Sequence, residues 1–329
     1  MSNYLVEFSK YGPSSVLQYV KREIPKVDGD MLLVKDAYAG INYIDTYCRT
    51  GLYPVPLPSV PGKEGSGIVT EVGPTCSKNF KVGDRVVYLT MSGSYGQYNL
   101  VPPVLAAKVP EGISLKVAAA SLLQGITVLA LIEQAYPVQS GDYVIVHAAA
   151  GGVGLLLCQM LKRRGVHVIA TASSPEKRSL ALQNGAEFSC SYQEVVDLSL
   201  QITGGKGAHA SFDSVGKDTM KASISSLRNG GTFVTFGNAS GIIESVPFNL
   251  ITSKCIKVVR PTLFGYLDSG ETFDRYTSKL WDEIIKHKLN IAIHHTWKLE
   301  EAKEAHDKFQ SRATTGKLLL SCNEDLTDA

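Results

Sequence analysis

The spacing of hydrophobic residues changes near residue 113, and the two parts of the chain predict different structures. Before that point, short runs rich in β-forming residues are separated by Gly and Pro, as at 31–38, 67–73 and 84–90. Such runs are typical of a small barrel or sandwich. Prolines occupy every second position of 54–58, where neither a helix nor a central strand can form, so we expect an extended loop there.

From about residue 113 to 263, helical and strand patterns alternate. A stretch rich in Ala and Leu at 114–136 is predicted to be helical, and the segment 153–161 carries apolar residues on one helical face. This alternation predicts βαβ units and a parallel, doubly wound sheet. The strand candidates are 143–147, 166–170, 187–190, 208–213, 232–236 and 255–259.

The alternation ends after residue 263. Helices are predicted at 271–288 and 299–311, and a short strand at 318–320. Because these elements do not extend the βαβ pattern, we expect this segment to return to the first domain. The chain is therefore predicted to be an α/β protein of two domains. The predicted domains are 1–124, completed by 264–329, and 125–263.

Composition narrows the classes of function. The 329 residues suffice for about two domains, and the hydrophobic share of 44% is ordinary for a globular protein. A net charge of +2 does not indicate a nucleic-acid or membrane surface. Six cysteines without a C-x-x-C pair indicate reduced thiols. No secretory signal and no run of 18 apolar residues are visible, so we expect a cytoplasmic protein without a membrane span.

A glycine-rich loop, Ala-Ala-Ala-Gly-Gly-Val-Gly at 148–154, follows the strand candidate 143–147. Compared with G-x-G-x-x-G, Ala149 stands at the first glycine, and Gly151 and Gly154 stand at the other two. Such glycines allow backbone N–H groups to approach a pyrophosphate at a helix N-terminus. A glycine-rich turn in an α/β protein that binds no nucleotide is the alternative, but the strand before the loop and the helix after it favour a dinucleotide site.

The end of the second strand indicates which dinucleotide binds. A site that prefers NAD has Asp or Glu about 20 residues beyond the loop, whereas 171–177 reads Thr-Ala-Ser-Ser-Pro-Glu-Lys, with no acid at the strand end. Lys177 falls in the first turn of the next helix, where a cation opposes the helix dipole. A 2′-phosphate would offset that cost, although a solvated surface lysine is the alternative. We therefore predict NADPH.

Residue sets for hydrolysis or metal catalysis are missing. The seven histidines include no H-x-x-x-H or H-E-x-x-H spacing, and the adjacent His294 and His295 would face opposite sides of a strand. The G-x-S-x-G pattern of hydrolases occurs only in degenerate form. A nicotinamide enzyme without a metal needs an electron acceptor that requires little acid–base help.

Six segments of the chain, taken in order, resemble a known family. They are 40–54, 147–154, 212–219, 236–241, 260–263 and 311–316. The family is the zeta-crystallin-like NADPH:quinone oxidoreductases of the medium-chain dehydrogenase/reductase superfamily. The resemblance implies a GroES-like catalytic domain, a Rossmann domain that binds NADPH, and a homodimer. Zinc-dependent alcohol dehydrogenases of the superfamily have metal ligands where this chain has Asn42 and Lys63, so the resemblance implies no metal.

The resemblance also implies site residues. Asn42, Tyr47 and Tyr53 would be catalytic, in a nicotinamide and quinone pocket between the domains. The residues themselves also permit plainer roles, because Asn42 and Asp45 are of types that cap a helix, and Tyr53 could pack within its loop. The implied cofactor-binding residues are Asn42, Thr127, Gly151, Gly152, Val153, Ser173, Lys177, Tyr192, Phe236, Asn238 and Arg312.

The predicted function is the reduction of quinones by NADPH, a reaction that depends mainly on positioning. Relatives of the family reduce activated alkenes, so an alkenal or enone double-bond reductase is an alternative. Zeta-crystallin-like proteins also bind AU-rich RNA, which is a second alternative without support from the near-neutral charge. The strand at 255–259 is the expected sheet edge and dimer contact. The sequence leaves open which quinone is reduced, whether one or two electrons are transferred, and whether dimers or tetramers form.

Overall fold

The computed structural model describes residues 2–91 and 93–326 of the chain. Strands dominate the first third, and strands and helices alternate after that. The strands are β1 (Ser2–Glu7), β2 (Gln18–Glu23), β3 (Leu32–Ile41), β4 (Glu64–Val72), β5 (Arg85–Leu89), β6 (Tyr98–Val101), β7 (Ala106–Lys108), β8 (Tyr143–Val146), β9 (His167–Thr171), β10 (Phe188–Cys190), β11 (Ala208–Asp213), β12 (Leu227–Thr235), β13 (Lys257–Val259), β14 (Ile293–Lys298) and β15 (Lys317–Ser321). The α-helices are α1 (Tyr43–Thr50), α2 (Leu115–Ala130), α3 (Gly152–Arg163), α4 (Pro175–Gln183), α5 (Val195–Ile202), α6 (Met220–Ser225), α7 (Phe248–Thr252), α8 (Leu263–Tyr266), α9 (Gly270–Ile285) and α10 (Ala302–Gln310).

The chain divides into two compact units. Unit 1 consists of Met1–Leu123, Ser269–Asp282 and Ile291–Ala329, and unit 2 of Gln124–Asp268 and Glu283–Asn290. The sequence pattern had assigned all of 264–329 to the first domain, but 264–268 and 283–290 lie with unit 2. Polar contacts hold 283–290 to unit 2, because Glu283 forms ion pairs with Arg163 and Arg164. The side chain of Gln159 also bonds to the backbone of Asn290.

Unit 1 is built on a seven-stranded sheet in the order β14-β15-β3-β4-β5-β7, with β6 also paired to β3. The pairs are antiparallel apart from β14 with β15. The central strand β3 is almost fully buried, as its apolar sequence predicts. Strand β15 lies between β14 and β3, so the end of the chain completes the sheet begun at the start. A separate antiparallel pair, β1 with β2, was not predicted.

Unit 2 is built on a parallel sheet of six strands in the order β10-β9-β8-β11-β12-β13. Counted from β8, this is the order 3-2-1-4-5-6 of doubly wound folds that bind dinucleotides. The order reverses at β8, and ligands of such sheets bind outside the carboxyl ends of the strands at that point. The fold thus places the glycine loop, which follows β8, at the expected binding edge.

One helical stretch of the described residues, Leu115–Ala135, is long and apolar enough to cross a membrane by length and composition alone. It consists of α2 and the π-helical turn that continues it. Of its most apolar window, 78% is buried inside the protein, and Leu122, Ile126 and Leu129 are fully buried. This burial is that of a core helix in a folded domain.

Candidate active site

The glycine loop connects β8 to α3 in unit 2. A Cβ on Gly154 would lie 2.5 Å from the carbonyl oxygen of Ala148, so only glycine fits. Ala148 itself has a left-handed backbone with a φ of 50°, and the Ala149 N–H donates to the Thr171 carbonyl at 3.0 Å. Since the N-cap Gly151 has no side chain, no side-chain oxygen of its own covers the first N–H groups of α3. This bare helix N-terminus fits the pyrophosphate of a dinucleotide, with Gly152 and Val153 as its first two residues.

The second strand, β9, leads into α4, where the predicted phosphate-binding residues lie. Ser174 is the N-cap of α4 and accepts a hydrogen bond from the Lys177 N–H at 3.3 Å, and Pro175 begins the helix. Ser173 is exposed, and the Lys177 side chain is half-buried. That partial burial lowers the pKa of Lys177 below its ordinary value. A cation at a helix N-terminus opposes the helix dipole, and an anionic phosphate bound there would offset that effect.

A buried carboxylate, Asp213, ends β11 at the same edge. Its Oδ1 accepts the N–H groups of Val215 at 2.8 Å and Gly216 at 3.0 Å. Its Oδ2 accepts the hydroxyls of Thr219 at 2.7 Å and Ser223 at 2.8 Å. With four donors Asp213 is fully satisfied, as a buried charge must be. It therefore holds the turn after β11 and helix α6 in place.

His147, directly before the glycine loop, extends this network. Ser223 already donates to Asp213, so the Ser223 oxygen accepts from His147 Nε2 at 2.9 Å, and His147 Nδ1 accepts from the Thr171 hydroxyl at 2.8 Å. Burial lowers the pKa of His147, which agrees with this neutral tautomer. The ring of Tyr192 stacks on His147 with centroids 5.9 Å apart. One network thus supports both the glycine loop and Tyr192.

The remaining predicted residues of unit 2 follow β12 or lie on α2. Phe236 directly follows β12, and its N–H donates to the Asp213 carbonyl at 2.8 Å. Asn238 is buried, and its Oδ1 accepts from Arg260 at 3.0 Å. Thr127 is half-buried on α2. Arg260 is a residue for which the sequence predicted no role, yet it fixes the orientation of the Asn238 amide.

In unit 1, Asn42 belongs to a buried ionic cluster with Glu64 and Lys317. The Lys317 ammonium donates to Asn42 Oδ1 at 2.7 Å and to Glu64 Oε1. Asn42 Nδ2 donates to Glu64 Oε1 at 2.8 Å and to the Gly40 carbonyl at 3.3 Å. Glu64 Oε2 accepts the Leu123 N–H at 2.7 Å. The cluster fixes the amide orientation, because an ammonium can only donate and a carboxylate can only accept.

This cluster limits what Asn42 can do. Both amide N–H groups of Asn42 are used within the protein, so only the second lone pair of Oδ1 remains for a ligand. Asn42 is 9% exposed, and Glu64 and Lys317 are more deeply buried. Asn42 can therefore accept a hydrogen bond from a bound group but cannot donate one from its amide.

The helix cap predicted for Asn42 and Asp45 is present in one direction. Asn42 is the N-cap of α1, and its backbone N–H donates to Asp45 Oδ2 at 2.8 Å. The Tyr95 hydroxyl donates to the same oxygen at 3.2 Å. Burial raises the pKa of Asp45 to about 6. The Asn42 side chain bonds within the ionic cluster, so Asn42 caps α1 and also joins that cluster.

The two predicted catalytic tyrosines meet at the end of α1. The Tyr47 and Tyr53 rings make an edge-to-face contact with centroids 5.3 Å apart, and the Tyr53 N–H donates to the Tyr47 carbonyl at 3.0 Å. Tyr47 is buried, and Tyr53 is 38% exposed. Arg312, also in unit 1, is exposed with a left-handed φ of 56°. Burial raises the pKa of the Tyr43 phenol, and the positive charge of Arg312 partly opposes that rise.

The sequence did not predict the roles of Lys317, Glu64, His147 and Asp213. A signal existed for Lys317, since a lysine that opens the apolar run 318–320 must carry its charge into a buried strand. Its partner Asn42 is 275 residues away, so no local pattern could pair them. Among the described residues, no group of three or more His, Cys, Asp or Glu side chains is arranged to hold a metal.

Comparisons with known proteins agree with this architecture. The family model for the alcohol dehydrogenase GroES-like domain matches residues 28–111, and the model for zinc-binding dehydrogenases matches 152–281. The chain is 60% identical over 329 residues to a probable quinone oxidoreductase of Schizosaccharomyces pombe, and the match covers all of both chains. A crystal structure of Escherichia coli quinone oxidoreductase complexed with NADPH superposes with a TM-score of 0.93 at 38% identity, covering 97% of this chain and 99% of that one. A 2-haloacrylate reductase of Burkholderia sp. is 34% identical over 301 residues, 87% of this chain and 89% of that protein.

A GroES-like unit combined with a doubly wound dinucleotide-binding unit defines a pyridine-nucleotide-dependent dehydrogenase or reductase. Within that class, the chain belongs to the quinone oxidoreductase family of the medium-chain dehydrogenase/reductase superfamily. The family and the fold class predicted from the sequence are confirmed.

Proposed function

We propose that the chain is an NADPH:quinone reductase that works without zinc, as a cytoplasmic homodimer. Its family makes it an oxidoreductase, with NADPH as the electron donor and a quinone as the acceptor. The observation that carries the proposal is the binding edge of unit 2. There the N-terminus of α3 lies at the strand-order reversal, Lys177 lies in the first turn of α4, and no acid ends β9.

NADPH supplies the reducing equivalents when it is bound. The N–H groups at the start of α3 would hold its pyrophosphate, and Lys177 with Tyr192 would bind the phosphate on its ribose. In unit 1, Asn42 would accept a hydrogen bond from a donor group of a ligand bound there, beside the buried Lys317. Tyr53, which is 38% exposed, would offer its ring to a flat quinone. A quinone is readily reduced, so the protein contributes mainly positioning, and water supplies the protons.

Independence from zinc is supported by the ionic cluster of Asn42, Glu64 and Lys317. Asn42 stands where the zinc-dependent relatives have a metal ligand, and here its Oδ1 accepts from a buried ammonium. A divalent cation would have to approach that ammonium closely, and the two positive charges would repel each other at low dielectric. Lys63, at the second ligand position, donates to the Met91 carbonyl at 3.0 Å.

The proposal is tested by following NADPH and NADH oxidation with a panel of quinones. Wild-type protein should use NADPH in preference to NADH. Lys177→Ala should raise the KM for NADPH about ten- to hundredfold, because it removes one charge-assisted hydrogen bond, and should leave the KM for NADH nearly unchanged. Lys206→Ala, at an exposed lysine of the same unit, is the matched control. A wild-type preference for NADH, or equal weakening of both cofactors, would show that Lys177 does not read the phosphate.

A second candidate function is the reduction of an activated carbon–carbon double bond, favoured by the similarity to the 2-haloacrylate reductase. That reaction adds a proton at carbon, so turnover should show a solvent isotope effect that quinone reduction lacks. Activity on enones with that isotope effect, and none on quinones, would select the second candidate.

Binding of AU-rich RNA is a further activity that the sequence resemblance implied. If RNA binds, the most direct site is the phosphate-binding edge of unit 2, and NADPH should then compete with an AU-rich oligonucleotide. If saturating NADPH did not affect oligonucleotide binding, the RNA site would lie elsewhere on the protein. If the oligonucleotide did not bind at physiological salt, RNA binding would be excluded as an activity.

A further inference from the structure

Tyr53 lies on a loop that has few backbone donors for hydrogen bonds of its own. The loop leaves α1 through Gly51, whose φ of 81° is left-handed, and runs through Pro54, Pro56 and Pro58. Proline has no N–H, so Val55 provides the one backbone donor between Tyr53 and Leu57. A loop of this composition cannot pair as a strand, and other parts of unit 1 must fix its conformation.

A single side-chain atom satisfies Val55. The Tyr11 hydroxyl donates to the Val55 carbonyl at 2.7 Å and accepts from the Val55 N–H at 3.1 Å. Both backbone groups of Val55 are thereby bonded to one phenolic oxygen. The two bonds hold the Val55 backbone, two residues after Tyr53, while the Val55 side chain packs against a hydrophobic cluster of unit 1.

The rest of the Tyr11 segment braces the start of the loop. The Tyr11 ring covers Gly51, where an added Cβ would lie 2.9 Å from its Cγ. The Gly12 N–H donates to the Arg49 carbonyl at 3.0 Å, in the last turn of α1. Tyr11 and Gly12 therefore hold both the end of the helix that carries Tyr47 and the loop that carries Tyr53.

The far end of the loop is anchored independently of Tyr11. Ser59 and Phe8 exchange two backbone hydrogen bonds, at 2.9 and 3.0 Å. Tyr53 itself is anchored by its N–H to the Tyr47 carbonyl. Between these anchors, Tyr11 supplies the hydrogen bonds that the described structure gives to the Val55 backbone.

We infer that Tyr11 is a positioning residue for the quinone, acting through the loop 51–58 to set the ring of Tyr53. The inference rests on the proposed function, in which Tyr53 contacts the acceptor. Tyr11 is 39% exposed, so loss of its hydroxyl leaves Val55 accessible to water and does not open a cavity. The loss should therefore affect the order of the loop more than the stability of unit 1.

The test is Tyr11→Phe, which removes one oxygen and keeps the ring over Gly51. The KM for bulky quinones should rise about three- to tenfold, since two neutral hydrogen bonds are lost, while the KM for NADPH stays unchanged. Hydrogen exchange of the Val55 amide, measured without cofactor or quinone, should accelerate by a similar factor. Tyr19→Phe is the matched control, because the Tyr19 ring is similarly exposed and stacks on Tyr4 at 5.4 Å.

A double mutant decides whether Tyr11 acts through Tyr53. In a Tyr53→Ala background, Tyr11→Phe should have no further effect on quinone KM. An equal effect in both backgrounds, or unchanged quinone kinetics in Tyr11→Phe, would overturn the inference, as would a Tyr53→Ala protein with normal quinone kinetics. If the wild-type protein failed to oxidise NADPH with any of the quinones tested, the proposed function itself would be refuted.

Discussion

Replacing Lys317 with methionine tests the buried ionic cluster most directly. Lys317 is 3% exposed and bonds to Asn42 and Glu64, and Glu64 is fully buried. Methionine fills the space of the lysine stem but leaves the Glu64 carboxylate without its cation. Breaking a buried pair by removing one partner costs about 3–5 kcal/mol. The equilibrium constant for unfolding should therefore rise by about two to nearly four powers of ten.

Urea unfolding, followed by a probe in unit 1, measures this change. The double variant Lys317→Met with Glu64→Gln removes both charges, and it should recover a large part of the loss because no unpaired charge stays buried. Lys35→Met is the control, since Lys35 pairs with the exposed Asp325 and such pairs contribute about 0–1 kcal/mol. If Lys317→Met cost no more than Lys35→Met, or if the double variant were no better than the single one, the reasoning about the cluster would be wrong.

Three further predictions concern the acceptor, the metal and the assembly. Tyr53→Ala should raise the KM for bulky quinones more than that for NADPH, because it removes an exposed ring and not a phosphate contact; unchanged quinone kinetics would assign Tyr53 to loop packing. Elemental analysis should find no stoichiometric zinc, and chelators should leave activity intact, whereas zinc lost together with activity would contradict the cluster argument. Light scattering at micromolar concentration should give twice the 35.5 kDa chain mass, because β13 is the edge of the parallel sheet and Val258 on it is exposed, and a monomer mass would exclude this dimer.

The alternating pattern of the middle of the chain predicted the parallel sheet because its central strand β8 and the neighbouring β9 are mostly apolar, as is typical of strands buried on both faces. The sequence pattern did not predict strands, or parts of strands, whose residues are mostly exposed. Strand β2 exposes five of its six residues and shows no clear alternation. The start of β12 was missed because Arg228, Asn229 and Gly230 are exposed there, so the predicted strand began only at Thr232.

Some features of the candidate site depend on local sequence, and others depend on contacts between residues that are far apart in the sequence. The glycine loop is a local feature, and it lies between a strand and a helix as its motif predicts. The contacts that orient two of the predicted site residues are long-range: Asn42 with Lys317 and Asn238 with Arg260. The contact of Val55 with Tyr11, beside the predicted Tyr53, is long-range as well. Such pairs depend on which strands and loops become neighbours in the fold, and nothing near either partner in the sequence indicates the other.

The position of β15 has a consequence for how the protein is made. Strand β15 pairs with the last four residues of β3, Tyr38–Ile41, so this end of β3 lacks that partner until about 275 further residues have been synthesised. Most of unit 2 is continuous over Gln124–Asp268 and can begin to fold while the end of β3 in unit 1 is still without its β15 partner. The ammonium beside Asn42 arrives with that same late strand. A nascent chain halted before residue 317 would therefore expose the unpaired end of β3, which chaperones can bind. It would also lack the Lys317 ammonium beside Asn42, so the same strand completes both the sheet and the ionic cluster.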